Sequence, residues 1–277
     1  MISEEELAEV KKFIDLRTGM RIQDTSEKSV RRYISDYLKG KNLTLDSYLR
    51  LIDTDKCEFH CLINSITINE TYFFREYKYF NLLEEVILPK IAEKSFFKKF
   101  IMWSAASSIG AEAISLVLLW NSCRSRLNLP DCRVYASDID QIALDAISKN
   151  SFDASLMKED GSNYHNLIKS NTEIKDKRLV FNTGTMSKIE TFNFNLLRGS
   201  YSEIRFQPEI IFLRNILTYM DFETKNIVVE KITSLLQPGG FLIVSSSDTP
   251  FISNPELNLE EYKNTFYFRK KLPEEKK

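Results

Sequence analysis

The chain has 277 residues, 43% hydrophobic and 28% charged, an ordinary globular composition that excludes disorder, fibres and peptide scaffolds. Its 38 Lys and Arg against 39 Asp and Glu leave a net charge of -1, so no global field gathers nucleic acid or anionic lipid. No apolar run approaches the ~18 to 20 residues of a membrane-spanning helix, and the opening MISEEELAEVKKF is unlike a secretory signal; a cytoplasmic protein with no direct membrane insertion is expected.

Residues 1–68 carry helical periodicity broken at Gly19 and Gly40, with no convincing strand, and predict a small all-helical domain. In its segment SEKSVRRYISDYLKG, Ser26 reads as a helix start and Gly40 as the stop, with Val30, Tyr33, Ile34 and Tyr37 forming an apolar stripe. Lys28, Arg31, Arg32 and Lys39 lie on the opposite face; taken alone, such a face is a solvated one. Cys57, His60 and Cys61 fall within about one helical turn, and tetrahedral zinc draws a second ligand pair from a distant segment, so no metal is predicted. Cys57 and Cys61 are expected to pack four apart on a core face, and all four cysteines read as thiols. Residues 69–94 form a connecting helical segment that opens with NETYFFRE.

From residue 95 to 277 short apolar runs alternate with helical stretches, the pattern of a doubly wound α/β sheet. KFIMWSA (99–105) is the first strand, with a helix from 111; CRVYASD (132–138) is the second, followed by the helix IDQIALDAISKN. Residues 151–189 are polar, contain one strand-like run, RLVFNTG, and read as an inserted small subdomain or a long loop. The sheet resumes with 190–197 and 209–215, a helix over 222–236, the turn Gln237-Pro238-Gly239-Gly240 and the strand FLIVSSS; EYKNTFYFRK reads as an edge strand.

Ligands of wound sheets bind beyond the carboxyl ends of the strands. The first strand is followed by SAASSIGAE, whose single Gly110 cannot make a pyrophosphate cradle, so NAD and ATP are disfavoured. The second strand ends at Asp138, placed to take both hydroxyls of an adenosine ribose, while Asp140 suits a helix cap. A ribose site without a phosphate cradle suggests S-adenosylmethionine. Two histidines in the whole chain argue against histidine-centred acid–base chemistry and for a reaction with little proton transfer.

Asn69 to Glu76 (NETYFFRE), WSAASSIGAEAIS, VYASDID, Asn195-Leu196-Leu197, IIFLRNILTYMD and LLQPGGFLIVSSSD occur in this order over roughly residues 10–250. Together they closely resemble the chemotaxis receptor methyltransferases, the CheR family. The resemblance implies a class I methyltransferase fold with a small β-subdomain inserted at 151–189, S-adenosylmethionine as cofactor and S-adenosylhomocysteine as product. It places Asn69, Thr71, Arg75, Glu112, Asp138, Asn195, Leu196, Arg214 and Asn215 around the cofactor, and Arg75 and Tyr219 beside the reacting carboxylate. The implied substrate is a set of glutamate side chains in the cytoplasmic helical region of chemoreceptors. The implied docking surface is the helical domain, where Lys28, Arg31, Arg32 and Lys39 would steer an acidic helix. A glutamate of pKa about 4.3 is already ionised at neutral pH, so in-line methyl transfer needs alignment and no general base.

Where the family usually shows Gly-Glu-Glu-Pro-Tyr-Ser, this chain has Gly110-Ala111-Glu112-Ala113-Ile114-Ser115, and Asp248 stands in place of the usual Glu. Two other readings compete. A class I methyltransferase that modifies the amino group of a nucleic-acid base would show an Asn/Asp-Pro-Pro-aromatic run at a strand end, where FLRN stands; one acting on a small molecule, or a cofactor-binding adaptor that transfers nothing, would fail to methylate receptor membranes.

Overall fold

The computed structural model describes residues 1–67, 70–94 and 99–276. Helices α1 (Glu4–Thr18), α2 (Asp24–Lys41), α3 (Leu45–Thr54) and α4 (Lys56–Ile66) form the N-terminal layer. A capping box starts α1: Ser3 accepts from the Glu6 N–H and Glu6 takes the Ser3 N–H. Gly19, at φ 75°, ends it, and a Cβ there would lie 2.5 Å from Leu197, so glycine lets the α1–α2 turn approach the second layer. Leu7, Ile14, Val30, Ile34, Tyr48 and Leu62 are buried at the centre of the four helices. Buried Glu58 of α4 accepts from the hydroxyls of Tyr33 (2.6 Å) and Tyr48 (2.8 Å), tying α2 and α3 to α4.

Two local expectations fail in this layer. Ser26 lies buried inside α2, which starts after Gln23 and ends at left-handed Asn42; the helix begins two residues before Ser26 and runs one residue past Gly40. Cys57 and Cys61 are exposed, because the inward face of α4 is taken by Leu62, Ile63 and Ile66.

Helix α5 (Lys78–Leu82), a π-helical turn (Leu83–Ile87) and α6 (Leu88–Lys94) lead into the sheet. Its strands are β1 (Lys99–Ala105), β2 (Asp131–Asp138), β6 (Ile189–Asn193), β7 (Ile210–Leu213), β8 (Phe241–Val244), β9 (Leu257–Tyr262) and β10 (Thr265–Lys270), with α7 (Ala111–Leu127), α8 (Gln141–Lys149) and α11 (Phe222–Leu235) among the connections. The order is β6-β2-β1-β7-β8-β10-β9, parallel through β8 and antiparallel at the last two strands. Both faces are covered, and the strand period of two sorts the side chains. Phe100 and Met102 of β1 join α7 in one core, whereas Trp103 and Ala105 join α11 in the other. The C-terminal segment read as one edge strand is a hairpin: Thr265–Lys270 is an inner strand and Leu257–Tyr262 the edge.

Residues 151–189 fold as a small three-stranded antiparallel sheet, β3 (Phe152–Asp153), β5 (Arg178–Phe181) and β4 (Thr172–Lys175), with short helices α9 (His165–Ser170) and α10 (Thr183–Met186). It braces the segment that opens the connector. Phe73 packs edge-on against Phe152 and Phe181, Phe74 stacks on Tyr164, and Asp160 accepts from the Tyr72 hydroxyl and the Glu76 N–H. Among the described residues no helix is long and apolar enough to cross a membrane.

At the start of β7, the Glu209 N–H donates to the Ile101 carbonyl and its carboxyl accepts from the Ile101 N–H. Burial pushes this carboxyl from its ordinary 4.5 up to about 7. The unfolded chain ionises first as pH rises, so the contribution is fully present below about 4.5 and is lost as pH approaches 7, a change of ~2 to 3 kcal/mol. Urea midpoints between pH 4.5 and 7.5 should fall less for Glu209→Gln than for the parent; parallel profiles would refute this.

Candidate active site

The carboxyl ends of β1, β2 and β7 open onto a cleft of about 660 Å³, walled on the opposite side by α4 and the 70–75 segment. After β1 the chain turns through left-handed Ala106 (φ 68°), Ser108 (φ 51°) and Gly110 (φ 86°). Phe74, Glu76 and Asn215, on the segments that flank the cleft, are left-handed as well; such strain clusters at functional sites. The turn aims the Ser108 N–H at Asp138 Oδ2 (2.8 Å), while Oδ1 accepts from the Asp140 N–H (3.0 Å). Burial, opposed by these two backbone donors, pushes the Asp138 carboxyl up to about 6. Each of its oxygens retains acceptor capacity for a ligand.

Arg214, at the end of β7, is 2% exposed and holds the floor. Its Nη1 pairs with Glu112 (2.8 Å), and its Nη2 reaches the Arg75 carbonyl (2.8 Å) and Glu76 (3.3 Å). The guanidinium lies 4.7 Å from the centre of the Tyr79 ring. The other oxygen of Glu112 accepts from Ser104 Oγ (2.7 Å). Left-handed Asn215 donates its N–H to Ser245 Oγ and its side-chain amide to Glu76. Arg75 donates to the Glu70 carbonyl and lies 5.8 Å from the Tyr72 ring centre. Tyr219 is buried where the helical layer meets the sheet, and its carbonyl accepts from the Arg21 N–H.

Thr71, Arg75, Glu112, Asp138, Arg214, Asn215 and Tyr219 therefore line one cleft. Asn195 and Leu196 line a small recess that shares Asp138, Ile139 and Ala106 with it. Asn195 also donates to the Arg17 carbonyl, pinning α1 to the loop after β6. Asn69 lies outside the described residues. On α2, Lys28, Arg32 and Lys39 are exposed, Arg32 standing 3.7 Å from Asp36. Arg31 is engaged inside the layer by Glu4, Glu27 and the Ile2 carbonyl. Ala111, Ala113 and Ile114 are buried in α7 packing, and Asp248 is buried against Lys225 (3.0 Å). The sequence did not mark His60, Ile63 and Asn64 of α4, or Thr67 just after it, as cleft residues.

A doubly wound sheet of this order, with an acidic residue ending β2 beside a turn that lacks a phosphate cradle, defines a class I methyltransferase. Residues 69–266 match the family described as CheR methyltransferase, SAM binding domain. The chain belongs to the CheR methyltransferase family and is an S-adenosylmethionine-dependent methyltransferase. It is 29% identical to a chemotaxis protein methyltransferase of Vibrio anguillarum over 90% of either chain. It is 28% identical to chemotaxis protein methyltransferase 2 of Vibrio cholerae, over 93% of this chain and 84% of the relative. Identity to a chemotaxis protein methyltransferase of Borreliella burgdorferi is 26%, over 90% of this chain and 89% of that one.

Proposed function

We propose that this protein transfers a methyl group from S-adenosylmethionine to glutamate side chains in the cytoplasmic helical region of chemoreceptors, leaving methyl esters and S-adenosylhomocysteine. The observation that carries the reading is the convergence of Asp138, Glu112, Arg75 and Tyr219 on one cleft. The residues suit the cofactor. Ser107 Oγ and Arg214 Nε are buried polar atoms without a protein partner, and both residues line the cleft. The volume lies within the range of small-molecule sites, ~300 to 1,000 Å³. Asp138 would accept from the ribose hydroxyls, Glu112 would face the ammonium, and Arg75 would guide a carboxylate; Thr71, Asn195, Leu196, Arg214 and Asn215 would complete the enclosure, with Asn69 preceding them in the chain.

Bound S-adenosylmethionine supplies an electrophilic methyl on a sulfonium. An ionised carboxylate oxygen held in line with that methyl would form the C–O bond while the electron pair of the breaking S–C bond returned to sulfur, so no proton would need to move. His60, the histidine in the cleft, has both ring nitrogens engaged, by Asp140 and Asn64, which agrees with chemistry that needs no base. Arg75 and Tyr219 orient the acceptor carboxylate. Docking is assigned to Lys28, Arg32 and Lys39; Arg31, chosen with them from the sequence, serves chiefly to hold α2 to the N-terminus.

Transfer of labelled methyl to receptor membranes, released as methanol by mild base, tests the reaction; protein that binds cofactor yet labels no receptor would be an adaptor. Tyr219→Phe removes one hydrogen bond to a charged group, worth about 1.5 to 3 kcal/mol, and should slow single-turnover transfer roughly tenfold to a hundredfold. Cofactor affinity should barely change. A defect that disappears at high cofactor would make Tyr219 a cofactor contact instead.

A further inference from the structure

His60 was set aside in the sequence as an incomplete metal site, and the reaction has no use for it as a base. It nonetheless joins the helical layer to the floor of the cofactor cleft. We propose that His60 is a positioning residue for cofactor binding, which fixes the loop carrying Asp138 through Asp140. The inference rests on the reading of Asp138 as the ribose acceptor.

The connection can be followed atom by atom. Asn64, one turn along α4, turns its amide nitrogen toward His60 Nε2 at 2.8 Å. An amide nitrogen only donates, so Nε2 accepts and the proton resides on Nδ1, which donates to Asp140 Oδ2. The other oxygen of Asp140 caps α8, accepting from the N–H groups of Ile142 (3.0 Å) and Ala143 (3.3 Å). The Asp140 N–H donates to Asp138 Oδ1. Asp140 is thus held on both side-chain oxygens and on its backbone, and its side chain is 5% exposed.

The opposite jaw of the cleft is secured separately, by the Arg21 N–H on the Tyr219 carbonyl, Gln23 on the Thr218 carbonyl, and the Arg21–Asp221 ion pair. Loss of the imidazole would leave that jaw intact. It would leave one oxygen of a buried carboxylate without its donor, and the start of α8 would shift to find another. The Asp140 N–H moves with it, and Asp138 loses one of the two donors that aim it. Small misplacements of a binding group have large effects on ligand affinity.

The test separates positioning from packing. His60→Leu removes the donor, whereas His60→Asn retains an amide N–H near the place of Nδ1. By titration calorimetry with S-adenosylhomocysteine, His60→Leu should bind roughly tenfold more weakly and His60→Asn within about threefold of the parent. At saturating S-adenosylmethionine both should turn over within about twofold of the parent. Unchanged binding in His60→Leu overturns the inference. So does equal weakening in both variants, which marks packing, or a turnover defect that saturation does not repair.

A measurement on the unaltered protein stands apart from the folding of any variant. The chain has two histidines, so His165→Gln assigns the His60 imidazole signals. Nitrogen NMR should show the Nδ1–H tautomer and a shift on addition of S-adenosylhomocysteine; the other tautomer, or no shift, overturns the proposal. If the parent binds no cofactor, the proposed function falls with it, whereas parent binding that His60→Leu leaves unchanged removes this inference alone.

Discussion

Asp138→Ala should weaken binding of S-adenosylmethionine and S-adenosylhomocysteine roughly a hundredfold or more, because two hydroxyl donors would lose a charged acceptor worth about 1.5 to 3 kcal/mol each. The fold should survive, since the carboxylate's protein partners are two backbone N–H groups at a cleft that water can enter. The pH dependence gives a sharper signature. Burial raises this carboxyl to about 6, so below that pH the ligand must displace a proton. Affinity of the parent should then fall by up to about tenfold per pH unit. Asp138→Asn should bind weakly with no such slope, and calorimetric titrations at pH 5, 6 and 7.5 distinguish the two. A flat parent profile would remove Asp138 from the ribose.

Arg214→Met should have the largest effect on stability. The guanidinium is buried between Glu76 and Glu112, and removal leaves two partly buried carboxylates facing each other without a counter-charge. Breaking a buried pair in this one-sided way costs about 3 to 5 kcal/mol, read as a lower urea midpoint. Adding Glu76→Gln and Glu112→Gln to the same protein should restore much of the loss, because it is unpaired charge that destabilises. If the triple variant is no more stable than Arg214→Met, packing of the long side chain against Tyr79 is the dominant contribution.

Strand β1 could be read to the residue, since the apolar run Phe100–Trp103 is set between Lys99 and the small residues Ser104 and Ala105. The place of Asp138 at the cleft was equally legible, because it depends only on the end of a strand and the sequence of the preceding turn. Local signals competed less well where tertiary packing was available. Ser26 and Gly40 are good cap residues, yet α2 runs past both: Ser26 is itself buried on the face of Val30 and Ile34, and the left-handed close falls at Asn42. Arg31 looked equivalent to Arg32 on a helical wheel, and only the returning N-terminus, with Glu4 and the Ile2 carbonyl, distinguishes them. The α4 wall of the cleft was invisible for the same reason: no periodicity records which face of one layer meets the other. Thr265–Lys270 reads as an edge in the sequence because its antiparallel partner, LNLEEY, carries adjacent Glu260 and Glu261 that break the alternation of a strand.

The left-handed Ala106 and Ser108 have a consequence for the thermodynamics of ligand entry. A glycine-rich turn reaches the same shape without steric cost but keeps many alternatives open, and a ligand that selects one of them must bear the lost freedom. Side chains at these two positions narrow the alternatives before any ligand arrives, and the energetic cost of the unusual backbone is met when the chain folds. Ala106→Gly would then leave a more relaxed turn and a less favourable entropy of cofactor binding.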